Sequence, residues 1–133
     1  MAKEAPTIIL IVDDSGAVAR TISNDCTNLD FATPRNVQDV TGLDKAAIER
    51  LLLLADFSAT LNGVFNDASN MSHDVFKTIP SASVTRTVSI AASGQTLAVE
   101  ALLTDYALTR AATGELTWSV PAVLQSGTAP SWA

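Results

Sequence analysis

Hydrophobic and polar positions alternate along most of this chain with the period of strands rather than helices. "TIILIV" (7–12) is rich in β-branched residues and apolar from Ile8 on; "DDSG" supplies turn chemistry, and "AVARTISND" resumes with the two classes interleaved. That order predicts a β-hairpin in which Gly16 takes the positive φ of the turn. "CTNLDF" extends the second strand or begins a third. "ATPRNVQDVTG" (32–42) has one Pro, one Gly and no clear period, and reads as a long loop of the kind that tends to carry function. "DFSATLNGVF" alternates again, with Phe57, Ala59 and Leu61 on one side, Asp56, Ser58, Thr60 and Asn62 on the other, and a disturbance at Asn62–Gly63. Ser72 is placed to cap a short helix over residues 73–78 that Pro80 ends. From residue 83 the pattern is purely β: "SVTRTVSIAA", a turn at "SGQ", a long "TLAVEALLTDYALTRA" bent midway, a turn at "ATGE", then "LTWSVPAVLQ".

One segment breaks the pattern. Thr41 and Asp44 stand as N-caps before "KAAIERLLLLA", which is made of strong helix formers and holds no Gly or Pro, so a helix of about three turns is expected over residues 44–55. Its four consecutive leucines, Leu51 to Leu54, together with Ile48, put apolar groups nearly all round it. A helix on one sheet buries a stripe about 100° wide. This one asks for more. Either the 32–42 loop folds over the surplus, or another copy of the protein covers it.

The whole then reads as one mainly β domain, residues 1–133: a two-sheet β-sandwich or small barrel of about seven strands with one flanking helix. Residues 1–6 and 126–133 have no partner pattern and read as terminal arms. The expected core draws on Ile9, Ile11, Val18, Leu29, Phe57, Leu61, Val88, Ile90, Leu97, Val99, Tyr106, Leu116, Trp118 and Val120.

Composition narrows the function. The 133 residues carry a formal net charge of -6, which argues against a positive groove for nucleic acid. Cys26 is the only cysteine, so no intrachain disulfide forms, and a buried thiol is the simpler reading than a reactive one. The apolar run Ile8–Val12 is too short for a signal-peptide core or a membrane span, which places synthesis in a cytoplasm with no membrane role. Candidate chemistry is sparse. His73 is the single histidine, without the glycine pattern of a nucleophile elbow near any serine. Asp13–Asp14 fits turn chemistry better than a calcium loop, and the Asp25/Asp30 pair has no partners that suggest an active site. There is no Walker loop and no GxGxxG, and aromatic residues are 5% of the chain, too few for a base-stacking platform. No catalytic site, metal site or cofactor is expected.

The non-core strand faces carry small polar groups instead: Ser58, Thr60, Thr85, Thr87, Ser89, Thr96, Thr117 and Ser119, with Glu100 and Glu115 among them and Arg86 as the clearest large basic exception. Joined between subunits into a closed ring, such faces would leave no exposed edge and form a hydroxyl-rich, mildly negative wall. DNA carries one charge per about 1.7 Å and would slide past that wall rather than bind it.

In "VDDSGAVARTISND", "NVQDVTGLDKAAIERLLLLADFSATLNGVFN" and "ALLTDYALTRAATGELTWSVPAVLQSGTAPSW", the sequence resembles the major tail tube protein of long-tailed, non-contractile bacteriophages, those of actinobacterial hosts in particular. The resemblance covers most of the chain and lies in order and spacing, not in a catalytic signature. It implies a virion protein that forms six-subunit rings, stacked into a tube with an inter-subunit β-barrel lumen. It further implies assembly around a tape-measure protein, between a distal tail protein and a tail terminator, and transient passage of double-stranded DNA without specific binding. Under it, Ile48 and Leu51–Leu54 are the subunit interface; Pro34, Arg35, Asn36, Val37, Pro130 and Trp132 join ring to ring; and Ser58, Thr60, Thr87, Ser89, Glu100, Glu115, Thr117 and Ser119 face the lumen. The alternatives are a tail terminator or other ring-forming secretion-tube component and, from another class, a small β-barrel ligand binder or enzyme using His73 or an aspartate pair.

Overall fold

A computed structural model describes residues 3 and 5–133; the N-terminal arm expected over 1–6 lies partly outside them. Among the described residues ten strands and one short helix follow in order: β1 (Ile8–Asp13), β2 (Ala19–Thr21), β3 (Cys26–Ala32), β4 (Arg35–Asp39), β5 (Arg50–Ala55), β6 (Ser58–Val64), α1 (Ser72–Phe76), β7 (Arg86–Ala92), β8 (Gln95–Leu103), β9 (Ala107–Arg110) and β10 (Leu116–Leu124). One antiparallel sheet runs β2-β1-β7-β8-β10-β6-β3, with β9 on the first half of β10. It folds over so that its two halves face each other as a sandwich, joined where Leu102 and Val123 pair. The mainly β sandwich is as expected. No helix among the described residues is long and apolar enough to cross a membrane.

Alternation decides what faces inward. Phe57, Ala59 and Leu61 meet Val88, Ile90, Leu97, Val99, Trp118 and Val120 in the core. β1 has the opposite parity to that expected: Leu10 and Val12 are buried, whereas Ile9 is 51% exposed. A strand apolar at every position gives no signal of which face is buried, and a shift of one residue exchanges the two. Val18 also lies outside the core. In the β1–β2 turn the positive φ belongs to Ala17, not Gly16. There the Asp14 carboxylate accepts the Gly16 and Val18 N–H groups at 2.9 and 3.0 Å, which holds its pKa below the usual carboxylate range.

Helix α1 plugs one end of the sandwich with Val75 and Phe76. Ser72 does not cap it. Its first N–H goes to the Asp25 carboxylate at 3.0 Å, and the other oxygen of that group accepts from Asn66 Nδ2 at 2.9 Å. A cap from 47 residues away leaves no local trace in the sequence. At the other end of α1, Arg86 turns inward from β7 and is 2% exposed. It donates to the carbonyls of Val75 and Asp13 and to Thr78 Oγ1. The expectation of an outward Arg86 is therefore corrected: its guanidinium meets the carbonyl end of α1, where a cation is favoured. Burial lowers its pKa from the usual guanidinium value, partly offset by the charges of Asp14 and Asp13. Asp25→Ala is expected to cost about 2 kcal/mol, the worth of hydrogen bonds to a charged acceptor, read as a lowered midpoint in urea unfolding.

Candidate assembly surface

The leucine run is a strand, not a helix. Residues 32–42 and 44–55 form one hairpin, with Arg35 opposite Ala55 and Val37 opposite Leu52. The loop assignment and the helix assignment are both overturned for one reason: each segment holds the other's hydrogen-bonding partner. A helix of about eleven residues with no packed face is marginal in water, so non-local pairing outweighs the helix propensity of Lys45–Ala55. Thr41 serves the hairpin as well. Its hydroxyl accepts the Glu49 N–H at 2.9 Å, and Val40 N–H reaches Glu49 O at 3.0 Å.

This hairpin makes no strand pair with the main sheet. Val37, Leu43, Ile48, Leu51, Leu52 and Leu54 are exposed on it, Leu54 at 92%. A lone two-stranded ribbon is at best marginally stable, and burying one leucine contributes about 1.5–3 kcal/mol. The hairpin is thus a largely apolar surface left exposed by the described residues. The expected interface residues (Ile48, Leu51, Leu52, Leu53, Leu54) and the expected ring-to-ring residues (Pro34, Arg35, Asn36, Val37) turn out to belong to one element. Val40 and Leu43, outside the expected set, add to its exposed apolar surface.

The C-terminal segment is not a free arm. Ala133 and Thr96 exchange both backbone hydrogen bonds at 2.8 Å, Trp132 bridges Leu97, and its ring lies 6.1 Å from Phe31. Those contacts cover the stretch of the β8 edge that β10 leaves unpaired. Pro130 is half-buried on the way.

The outer faces carry the small polar residues as the alternation predicts. Ser58 and Thr60 on β6, and Thr117 and Ser119 on β10, point away from the core of one half-sheet; Thr87 and Ser89 on β7, and Glu100 on β8, do so on the other. The expected lumen residues therefore fall on two faces. Glu115 is on neither: it sits in the turn between β9 and β10, accepting from Thr113 Oγ1, which lowers its pKa. Strands β3, β6 and β10 hold no lysine or arginine.

No known family model matches the sequence, and neither does any curated protein. Solved structures do. A chain in the tail of an empty gene transfer agent particle, determined by helical refinement with C6 symmetry, aligns with a TM-score of 0.77 at 18% identity over 99% of both chains. A chain in the virion of a native gene transfer agent particle aligns at 0.75 and 18%, over 94% of this chain and 95% of that one. This chain has the fold of those particle components.

The side chains singled out as candidate chemistry are held in other contacts. His73 packs between Phe65 and Tyr106, with Nδ1 3.2 Å from the Tyr106 hydroxyl. It fills space beside the core. Asp25 is committed to capping α1, and Asp30 lies on β3 opposite Thr60, so the two carboxylates do not form a working pair. Among the described residues no cluster of three metal-ligating side chains forms.

Proposed function

We propose that this chain is the structural subunit of a phage-like tail tube: six copies close into a ring, rings stack, and the lumen conducts double-stranded DNA into a host. The observation that carries this reading is the hairpin outside the main sheet, with Val37, Leu43, Ile48, Leu51, Leu52 and Leu54 exposed, on a sandwich whose fold extends over 99% of a chain in a C6-symmetric tail. Such an element suits a subunit that meets its own copies through an apolar surface. In this reading the tube grows around a tape-measure protein from a distal tail protein to a terminator, and the finished particle is its location.

Of the two outer faces, that of β6 and β10 suits a lumen better. It presents Ser58, Thr60, Thr117 and Ser119 with no basic side chain on these strands or on β3. The opposite face includes the exposed Ile9 of β1, which suits contact with protein. Thr60→Lys and Ser119→Lys are expected to leave tube formation unchanged and to slow DNA ejection, because a ring of added cations holds a polyanion. Ejection kinetics from particles carrying each variant check this; unchanged rates for both would move the lumen to the face of Thr87, Ser89 and Glu100.

Negative-stain electron microscopy of the purified chain across a concentration series tests the main reading. Stacked rings with a central hole are expected. Single rings that never stack would make the protein a terminator instead, and monomers throughout would overturn the proposal.

A further inference from the structure

We propose that the groove at the base of the β4–β5 hairpin receives the hairpin tip of a second copy, making a head-to-tail contact; this rests on the tube-subunit reading. The groove has a volume of about 660 Å³ and is lined by Arg35, Leu52, Leu53, Leu54, Ala55 and Ala129. It is an apolar slot with one charged wall. The Arg35 Nε donates to Leu53 O at 2.9 Å, which fixes the guanidinium there, and no carboxylate pairs with it among the described residues.

The tip is the complement. Leu43 is fully exposed at the turn, and Asp44 follows it with no ion-pair partner among the described residues. The adjacent Lys45 and Glu49 lie 3.9 Å apart and offset one another. The tip therefore offers an apolar knob beside one negative charge, and the groove an apolar slot beside one positive charge. They cannot meet within a chain. The strand Arg35–Asp39 alone separates them by about 14 Å, at roughly 3.4 Å per residue, before the turn begins. Two complementary patches at opposite ends of one element make a heterologous interface, which repeats from copy to copy, as a closed ring or as a continuing stack according to the rotation between copies. A second copy of this chain is thus the occupant that both the shape and the charge select.

The experiment uses the full chain in a Cys26→Ser background. Leu43→Cys and Ala129→Cys are made in separate chains, each is assembled alone and in an equal mixture, and a short bis-maleimide is added. Covalent dimers joining one chain of each kind are expected in the mixture, with neither variant alone giving them. Alongside, Asp44→Arg and Arg35→Asp are each expected to lower tube yield about tenfold, and the double exchange to restore it to within about threefold, since a reversed pair regains its attraction. Tubes that form but do not crosslink in the mixture, or a double exchange that stays at the level of the single variants, would overturn the contact and leave the tube-subunit reading standing. An unmodified chain that forms no rings or tubes at any concentration would overturn that reading, and this contact with it.

Discussion

Replacing Leu52 and Leu54 together by aspartate is expected to abolish tube formation while leaving the folded subunit intact. Both side chains are more than half exposed, neither joins the core cluster, and their strand pairs only with β4. A change there removes nothing that holds the sandwich together. In an assembled tube each leucine would be buried, so the variant would bury an unpaired carboxylate at a cost of several kcal/mol per site. Each 1.4 kcal/mol is about tenfold in an association constant, and a ring repeats the loss six times under the proposed symmetry. Sedimentation velocity should show a monomer at concentrations where the unmodified protein assembles, and the thermal midpoint should stay within about 3 °C. Normal tubes would remove the hairpin from the interface. A collapsed midpoint would mean that the hairpin supports the core after all.

Gly63→Ala is expected to have the largest effect on the fold itself. A Cβ at this position would lie 2.1 Å from the Asp25 carbonyl oxygen and 2.4 Å from Trp118 Cζ2. Neither neighbour has freedom to retreat. The Asp25 carbonyl accepts the Val64 N–H at 2.9 Å, while Trp118 is buried, donates Nε1–H to Val64 O at 2.9 Å and packs against Phe76. Overpacking of this severity costs about 3 kcal/mol or more, a fall of roughly 10 °C in the midpoint for a domain of this size. Gly16→Ala is the control: its nearest contact would be Asp14 Oδ1 at 3.4 Å, an ordinary approach, and the midpoint should hardly move. A stable Gly63→Ala would show that β3 and β6 part more easily than their pairing suggests.

The sandwich was legible because β6, β7, β8 and β10 alternate cleanly, so each strand announces its buried face. The pattern breaks at Asn62–Gly63, and the close approach of Trp118 to Gly63 supplies the cause. What could not be read was anything decided by a distant partner. β1 is apolar on both faces, so its parity is set by β7 beside it. The helix formers at 45–55 lie in a turn and a strand because "PRNVQD" pairs with them. Arg86 looked outward by residue type and turned inward for the carbonyls of α1, and Asp25 displaced Ser72 as the cap from across the fold. The apolar surplus that pointed to assembly was nevertheless visible in the leucines themselves, whichever secondary structure they took.

The hairpin's position outside the core leaves its sequence free to vary apart from that of the sandwich. The core contains no hairpin residue; the hairpin is closed at its base by the Asp56 N–H on Pro34 O, and Ala129 of the C-terminal segment lies beside Leu52–Leu54. Substitutions in well-separated parts add nearly independently, so the part that folds and the part that docks can drift on separate schedules. Each docking change needs compensation only in the identical copies it meets, all encoded by the same sequence. An architecture divided in this way can vary its hairpin while the sandwich keeps its shape.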